Sequence, residues 1–172
     1  MSNNSTPLPV SLAHLGQSVE PSEATLALLE NAQMFRGIEW AQIKALSTYM
    51  QIYRVETNAV LFREGEKGDF MCVVLQGKLE IHKADNNQVD KTVATALPGR
   101  SLGEMAMVDG EPRSATAIVM ESTLLAVLTY DSFQKLMREK PALAVRILLK
   151  ISQLLSQRLR LTSGILVDYL EK

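Results

Sequence analysis

Between about Ile52 and Leu128 the chain carries no sustained helical period. It is built instead of short apolar or alternating runs separated by turn residues. Lys78-Leu79-Glu80-Ile81-His82 alternates as a half-buried strand does, Asp85-Asn86-Asn87 reads as a turn, and Val93 to Leu97 is a strand of small residues ended by Pro98-Gly99. Several short strands at regular spacing predict a compact roll or barrel. Helical patterns flank this middle. Before it, Ser22 is placed to cap a first helix carrying Leu26, Leu28 and Leu29, and a second short helix covers about 39–50. After it, Asp131 and Gln134 have capping-box spacing ahead of Phe133, Leu136 and Met137.

The last helix starts at Pro141 and extends to about Tyr169, roughly 40 Å at 1.5 Å per residue, more than one small roll needs as cover. Ile147, Ile151 and Leu154 are expected to face the domain. Leu155, Leu159, Thr162, Leu166 and Tyr169 alternate four and three apart and form a second seam, which predicts a symmetric homodimer through this helix. Arg146, Lys150, Arg158 and Arg160 are read as its solvated charges. Gly164 inside the helix costs about 1 kcal/mol relative to Ala and marks a hinge or a fraying point. The predicted fold class is α+β: an antiparallel, jelly-roll-like β-roll over about 52–129, flanked by N-terminal helices and a long C-terminal helix over about 141–170. Residues 1–20, rich in Ser, Asn and Pro, are assigned to a loose tail, and 21–172 to one domain.

Composition removes several function classes. The net charge of −1 gives no general electrostatic case for nucleic acid. The single cysteine, Cys72, lies in the apolar run Met71 to Leu75 and reads as a buried free thiol. No apolar run reaches membrane-spanning length and no signal peptide is evident, so a cytoplasmic protein without a membrane partner is expected. His82 is expected to project from its strand into water. With His14 in the tail, no ligand set for a metal is apparent. No nucleophile, Walker loop or paired-acid frame supports catalysis, so the expectation is a protein that is not an enzyme and carries no cofactor.

The chemistry concentrates in Leu102 to Ala117, LGEMAMVDGEPRSATA. Gly103 has no side chain to keep a ligand from the backbone, and Glu104 beside it accepts hydrogen bonds. Arg113 supplies a planar, permanently charged fork that matches two phosphate oxygens. Ser114 and Ala115 leave room for main-chain N–H groups and a hydroxyl to reach the same anion. Met105 and Met107 are read as core filler beside this segment. A ligand with both a phosphate and a hydroxyl is implied.

Gly-Glu-Met-Ala, Asp-Gly and Pro-Arg-Ser-Ala-Thr resemble the phosphate-binding cassette of the cyclic nucleotide-binding domain, the module of bacterial catabolite activators and of regulatory subunits of cAMP-dependent protein kinase. The similarity runs from about Phe35 to the C-terminus. It includes LFREGEKGDF at Leu61 to Phe70 and VVLQGKLEIH at Val73 to His82, with Gly65, Gly68 and Gly77 as roll-shaping glycines. Leu102 stands where many members have Phe, which keeps an apolar wall.

The resemblance implies that Glu104 holds a ribose 2′-hydroxyl and that Arg113 holds the cyclic phosphate. Leu102, Gly103, Met105, Ala106, Ser114 and Ala115 complete the cradle, and Ile81, Ala94 and Thr95 line the pocket. Leu161-Thr162-Ser163 resembles the step by which the activators' long helix contacts the base from both subunits, although it falls about one turn later from Pro141. Thr162 has two open readings: a base contact, or a back-bond to the carbonyl four residues earlier.

The implied function is a non-enzymatic sensor of cAMP that moves its C-terminal helix and signals through a protein effector. No helix-turn-helix domain is evident after the helix. The alternatives are cGMP or cyclic di-GMP as ligand, a ligand-free scaffold with a vestigial pocket, or a truncated DNA-binding regulator.

Overall fold

A computed structural model of the chain describes residues 16–87 and 89–170, the last three of these by backbone alone. The strands are β1 Gly16–Val19, β2 Gln51–Val55, β3 Val60–Phe62, β4 Phe70–Ala84, β5 Asp90–Ala96, β6 Ser101–Leu102 and β7 Thr116–Thr129. The helices are α1 Glu23–Glu30, α2 Trp40–Ser47, α3 Glu104–Asp109, α4 Tyr130–Glu139 and α5 Pro141–Leu170, with a 3-10 turn at Gln33–Phe35. The strands form one antiparallel sheet in the order β1-β2-β7-β4-β5, with β3 added beside β7 and β6 beside β4. The expected roll is present, but the sheet curls without closing into a barrel.

The two long strands organise everything else. β4 and β7 pair from Phe70 opposite Thr129 to His82 opposite Thr116, with three register shifts between Val74 and Leu79. Such irregularities bend a strand and let one sheet wrap around a core. Where the sheet passes between two layers, both faces are apolar. Met71, Val73 and Leu75 of β4 and Leu124, Ala126 and Leu128 of β7 face a core shared with the helices, which includes Phe35, Ile43, Phe133, Leu136 and Ile147. Phe70, Cys72 and Val74 of β4 and Leu125 and Val127 of β7 face the interior of the roll with Phe62, Leu79 and Val119. This is why Met71 to Leu75 reads as a continuous apolar run rather than an alternating one. Cys72 is fully buried there, and burial pushes its thiol up to about 12, so it stays protonated and inert.

Several local expectations hold. Ser22 caps α1, and its side chain and that of Thr25 satisfy each other's backbone N–H. Asp85 Oδ1 accepts from the N–H of Asn87 and of Val89, which closes the turn between β4 and β5. α5 runs unbroken through Gly164, with Ile147, Ile151 and Leu154 buried against the domain.

Others are corrected. Residues 16–19, assigned to the tail, form a strand beside β2. Backbone pairing makes that strand, which carries no strong side-chain pattern. α4 is capped by Thr129, whose hydroxyl accepts from the Ser132 N–H, rather than by Asp131. His82 does not project freely into water: it is half-buried, with Nε2 3.1 Å from Glu80 Oε2. Residues 1–15, including His14, and the side chain of Tyr169 lie outside the described residues. No helix among the described residues is long and apolar enough to cross a membrane.

Gly77 shows how tightly β4 and β7 are joined. Its φ is +94°, and a Cβ there would lie 2.7 Å from the Thr123 Cα, against backbone that cannot give way. Gly77→Ala is therefore expected to destabilise the domain by about 1–3 kcal/mol, the range for a residue forced into a left-handed conformation. Urea unfolding would show this as a lower midpoint with an unchanged slope.

Candidate functional site

The cassette is shaped by a sharp change of direction. β6 ends at Leu102, Gly103 turns at φ +77°, and α3 begins at Glu104. A Cβ on Gly103 would collide with Arg113 Nη1, and one on Gly68 would lie 3.2 Å from Arg113 Cζ. The absent side chains at these two positions are what admit the arginine to the roll interior.

Arg113 is only 4% exposed. Its guanidinium carbon lies 4.4 Å from the ring centroid of Phe62 and 4.5 Å from that of Phe70. Both rings lie within cation–π range of the charge. Nη1 donates to the Gly103 carbonyl at 3.1 Å, while Nε and Nη2, the other edge of the fork, have no hydrogen-bond partner among the described residues. Burial pulls the guanidinium below its ordinary value, and the carboxylates of Asp69, Glu104 and Glu66 oppose that shift. The backbone of Arg113 is fixed as well, its N–H donating to the Glu66 carbonyl at 2.8 Å and its carbonyl accepting from the Gly65 N–H at 2.9 Å.

Glu104 is buried, and Oε2 has no partner while Oε1 accepts from Arg158 Nη1 of α5. Arg158 Nη2 also donates to the Ser101 carbonyl at 3.0 Å and to its hydroxyl at 3.3 Å. Reading Arg158 as a solvated helix charge is thus overturned. A signal was available: Arg158 continues the buried stripe Ile147, Ile151, Leu154 by one more turn, and a cation on a core-facing stripe requires an anion opposite. Which acid would answer it could not be read across the fifty-four residues to Glu104.

These groups border a cavity of about 750 Å³ including its open mouth. Leu102, Gly103, Glu104, Met105, Ala106, Arg113, Ser114 and Ala115 line it, and so do Ile81, Ala94 and Thr95 from β4 and β5. Phe62, Arg100, Ser101 and Arg158, which the sequence reading did not select, line it too. Met105 is exposed at its edge, 3.7 Å by Sδ from the Ser114 hydroxyl, and so is not core filler, whereas Met107 is buried in the helical core. Thr162 and Ser163 are exposed on α5, one turn and more beyond Arg158, and do not line the cavity. Among the described residues there is no cluster of His, Cys, Asp and Glu suited to a metal ion.

A buried guanidinium with a free bidentate edge and a buried carboxylate with a free oxygen, in one partly apolar cavity, suit an anion bearing a hydroxyl. The family model described as the cyclic nucleotide-binding domain matches residues 53–140. The chain belongs to that family.

Relatives of this cyclic nucleotide-binding domain include the CRP-like cAMP-activated global transcriptional regulator of Mycobacterium tuberculosis, 25% identical over 141 residues, which are 82% of this chain and 61% of that protein. The cyclic AMP receptor protein of Thermus thermophilus is 26% identical over 132 residues, 77% of this chain and 59% of that protein. The chain thus spans about three-fifths of the length of these relatives. Among solved structures, a cyclic nucleotide-binding domain from Methylobacillus flagellatus superposes with a TM-score of 0.81 at 27% identity, covering 92% of this chain and 91% of that one.

Replacing Arg158 would leave the domain's Glu104 carboxylate buried with both oxygens unpaired. Arg158→Ala is expected to lower stability by about 1–3 kcal/mol at neutral pH, the cost of an orphaned buried acceptor. Equilibrium urea unfolding measures it, and an unchanged midpoint would show that water replaces the arginine without loss.

Proposed function

We propose that the chain is a non-enzymatic sensor of a cyclic mononucleotide, cAMP in the first place, whose C-terminal helix reports occupancy to a protein effector. The observation that carries the reading is the unpaired Nε–Nη2 edge of Arg113 inside a cavity that also presents the free Oε2 of Glu104. A buried, unneutralised guanidinium is costly, and a singly charged cyclic phosphate supplies the missing anion with two exocyclic oxygens for that edge. The ribose 2′-hydroxyl then has Glu104 as acceptor. Ser114 and Ala115 border the phosphate, while Ile81, Ala94 and Thr95 form the wall for the base. The names of the transcriptional and receptor relatives point to cAMP as the message.

The output follows from α5. Arg158 ties this helix to Glu104, so ligand at Glu104 and helix position are linked, and differential affinity for the helix-docked state shifts the population toward it. Beyond Arg158 the helix exposes Leu159, Leu161, Ile165, Leu166 and Val167. That apolar length supports a homodimer through α5. In such a dimer Thr162 and Ser163 reach a base from the neighbouring copy, or from the same copy after the helix moves.

Calorimetric titration with cAMP, cGMP and cyclic di-GMP tests the reading. Saturable binding of cAMP is expected, and Arg113→Ala should weaken it by about 2–5 kcal/mol, as for loss of one partner of a buried charge pair. Arg113→Lys, which keeps the charge but not the fork, should recover only part of that loss. Binding unaffected by either change would remove the cassette from the mechanism. Thr162→Ala should narrow the preference between cAMP and cGMP if the hydroxyl reads the base, whereas equal loss for both nucleotides would assign Thr162 to packing.

A further inference from the structure

The segment that presents Ser114 and Ala115 to the cavity is held from a second direction by residues outside the cavity lining. Lys83, near the end of β4, donates from Nζ to the Ser114 carbonyl at 2.7 Å and to Glu64 Oε1 at 2.7 Å. Glu64 in turn accepts from the Ala84 N–H at 3.3 Å through Oε2, and its own N–H donates to the Thr116 hydroxyl at 3.0 Å. Lys83 thus holds the backbone carbonyl just before Ala115, and Glu64 holds Lys83 and the Thr116 side chain just after it.

The geometry of the peptide bond gives this clamp a consequence. In a trans peptide the carbonyl of one residue and the N–H of the next point in opposite directions, and the chain contains no cis bond among the described residues. Fixing the Ser114 carbonyl on Lys83 therefore turns the Ala115 N–H away from Lys83. Ala115 lines the cavity and Lys83 does not. We infer that Lys83, held by Glu64, is a positioning residue for anion binding: it fixes the orientation of the Ser114–Ala115 peptide so that the Ala115 N–H faces a phosphate oxygen. This rests on the cyclic-nucleotide reading and adds a determinant of affinity that never touches the ligand.

Both side chains are substantially exposed, 51% for Lys83 and 35% for Glu64. An ion pair in that setting contributes little to global stability, so an effect on affinity can be separated from one on folding. Hydrogen bonding to Lys83 and to the Ala84 N–H holds the Glu64 carboxyl below its ordinary range, so the acceptor is ionised at neutral pH.

The test titrates whichever of cAMP and cGMP the unmutated chain binds, together with its two phosphorothioate diastereomers, in which sulfur replaces one or the other exocyclic oxygen. Lys83→Gln is expected to weaken binding about fivefold, the net worth of one neutral hydrogen bond. The melting temperature should be unchanged, and the loss should persist at high salt, where a diffuse charge effect would be screened. The affinity ratio of the two diastereomers should move toward unity in Lys83→Gln, because sulfur accepts hydrogen bonds poorly and the oriented N–H is what distinguishes the two positions. Lys83→Arg, which can reach both acceptors, should retain most of the affinity and the ratio. Glu64→Gln should move both in the same direction as Lys83→Gln, by less.

Unchanged affinity and ratio in Lys83→Gln, with the unmutated chain binding normally, would overturn the inference and leave the sensor reading intact. A loss that vanishes at high salt, or one shared equally by both diastereomers, would overturn it as well. Failure of the unmutated chain to bind either nucleotide would overturn the sensor reading and this inference with it.

Discussion

The structure depends on a buried cation. Arg113 is placed where water cannot reach most of it, and every neighbour reflects that placement. Phe62 and Phe70 turn ring faces toward it, and Gly103 and Gly68 give up their side chains to make room. The Gly103 carbonyl takes one of its N–H groups. Residues Gly65 and Glu66 hold its backbone on both sides. Desolvation of a guanidinium is expensive, and two aromatic faces and one carbonyl compensate it only in part. The deficit lies on the Nε–Nη2 edge, the side that suits a bidentate oxyanion. An anion on that edge would satisfy it, so the proposed binding completes the fold rather than adding to it.

The same sheet joins the roll interior to the helical core. β4 and β7 bury one face against the rings that hold Arg113 and the opposite face against α2, α4 and α5. Cys72 and Val73 show the alternation directly: the first faces the roll interior and the second faces the helices. Only one backbone layer therefore separates the cassette from the helices, and close-packed interiors have little slack between such layers.

Much of this was legible in the amino-acid order. The roll and the flanking helices follow from turn residues and periodicity, and the cassette side chains from Gly103, Glu104 and Arg113 together with the resemblance they carry. The clearest departure comes from contacts between segments distant in the chain. Arg158 looked like an ordinary surface charge because nothing near it in sequence says that Ser101 and Glu104 lie opposite. For His82 half of the signal is local, since Glu80 lies two residues away on the same face of β4, and only Thr92 arrives when β5 pairs. Gly16–Val19 was missed for the opposite reason. An edge strand held by backbone hydrogen bonds needs no apolar pattern. At α4 the helix begins where β7 ends, so Thr129 stands at the cap and Asp131 falls inside the first turn.

The two oxygens of Glu104 carry the remaining step. Oε1 is engaged by Arg158, and Oε2 is buried without a partner. A ligand hydroxyl that donates to Oε2 does not compete with the helix for the carboxylate. It satisfies the last open acceptor while Arg158 keeps its place. In the proposed scheme ligand and docked helix then share the carboxylate without conflict, each supplying a donor that burial has left it short of. Linkage makes the relation reciprocal: whatever the ligand contributes to holding α5 against the roll, docking of α5 contributes equally to holding the ligand. A partner or second copy that grips the exposed apolar length beyond Arg158 would act on the same equilibrium from outside the cavity. In this proposed scheme the helix is both lid and output, and Glu104 is the atom-level junction between them.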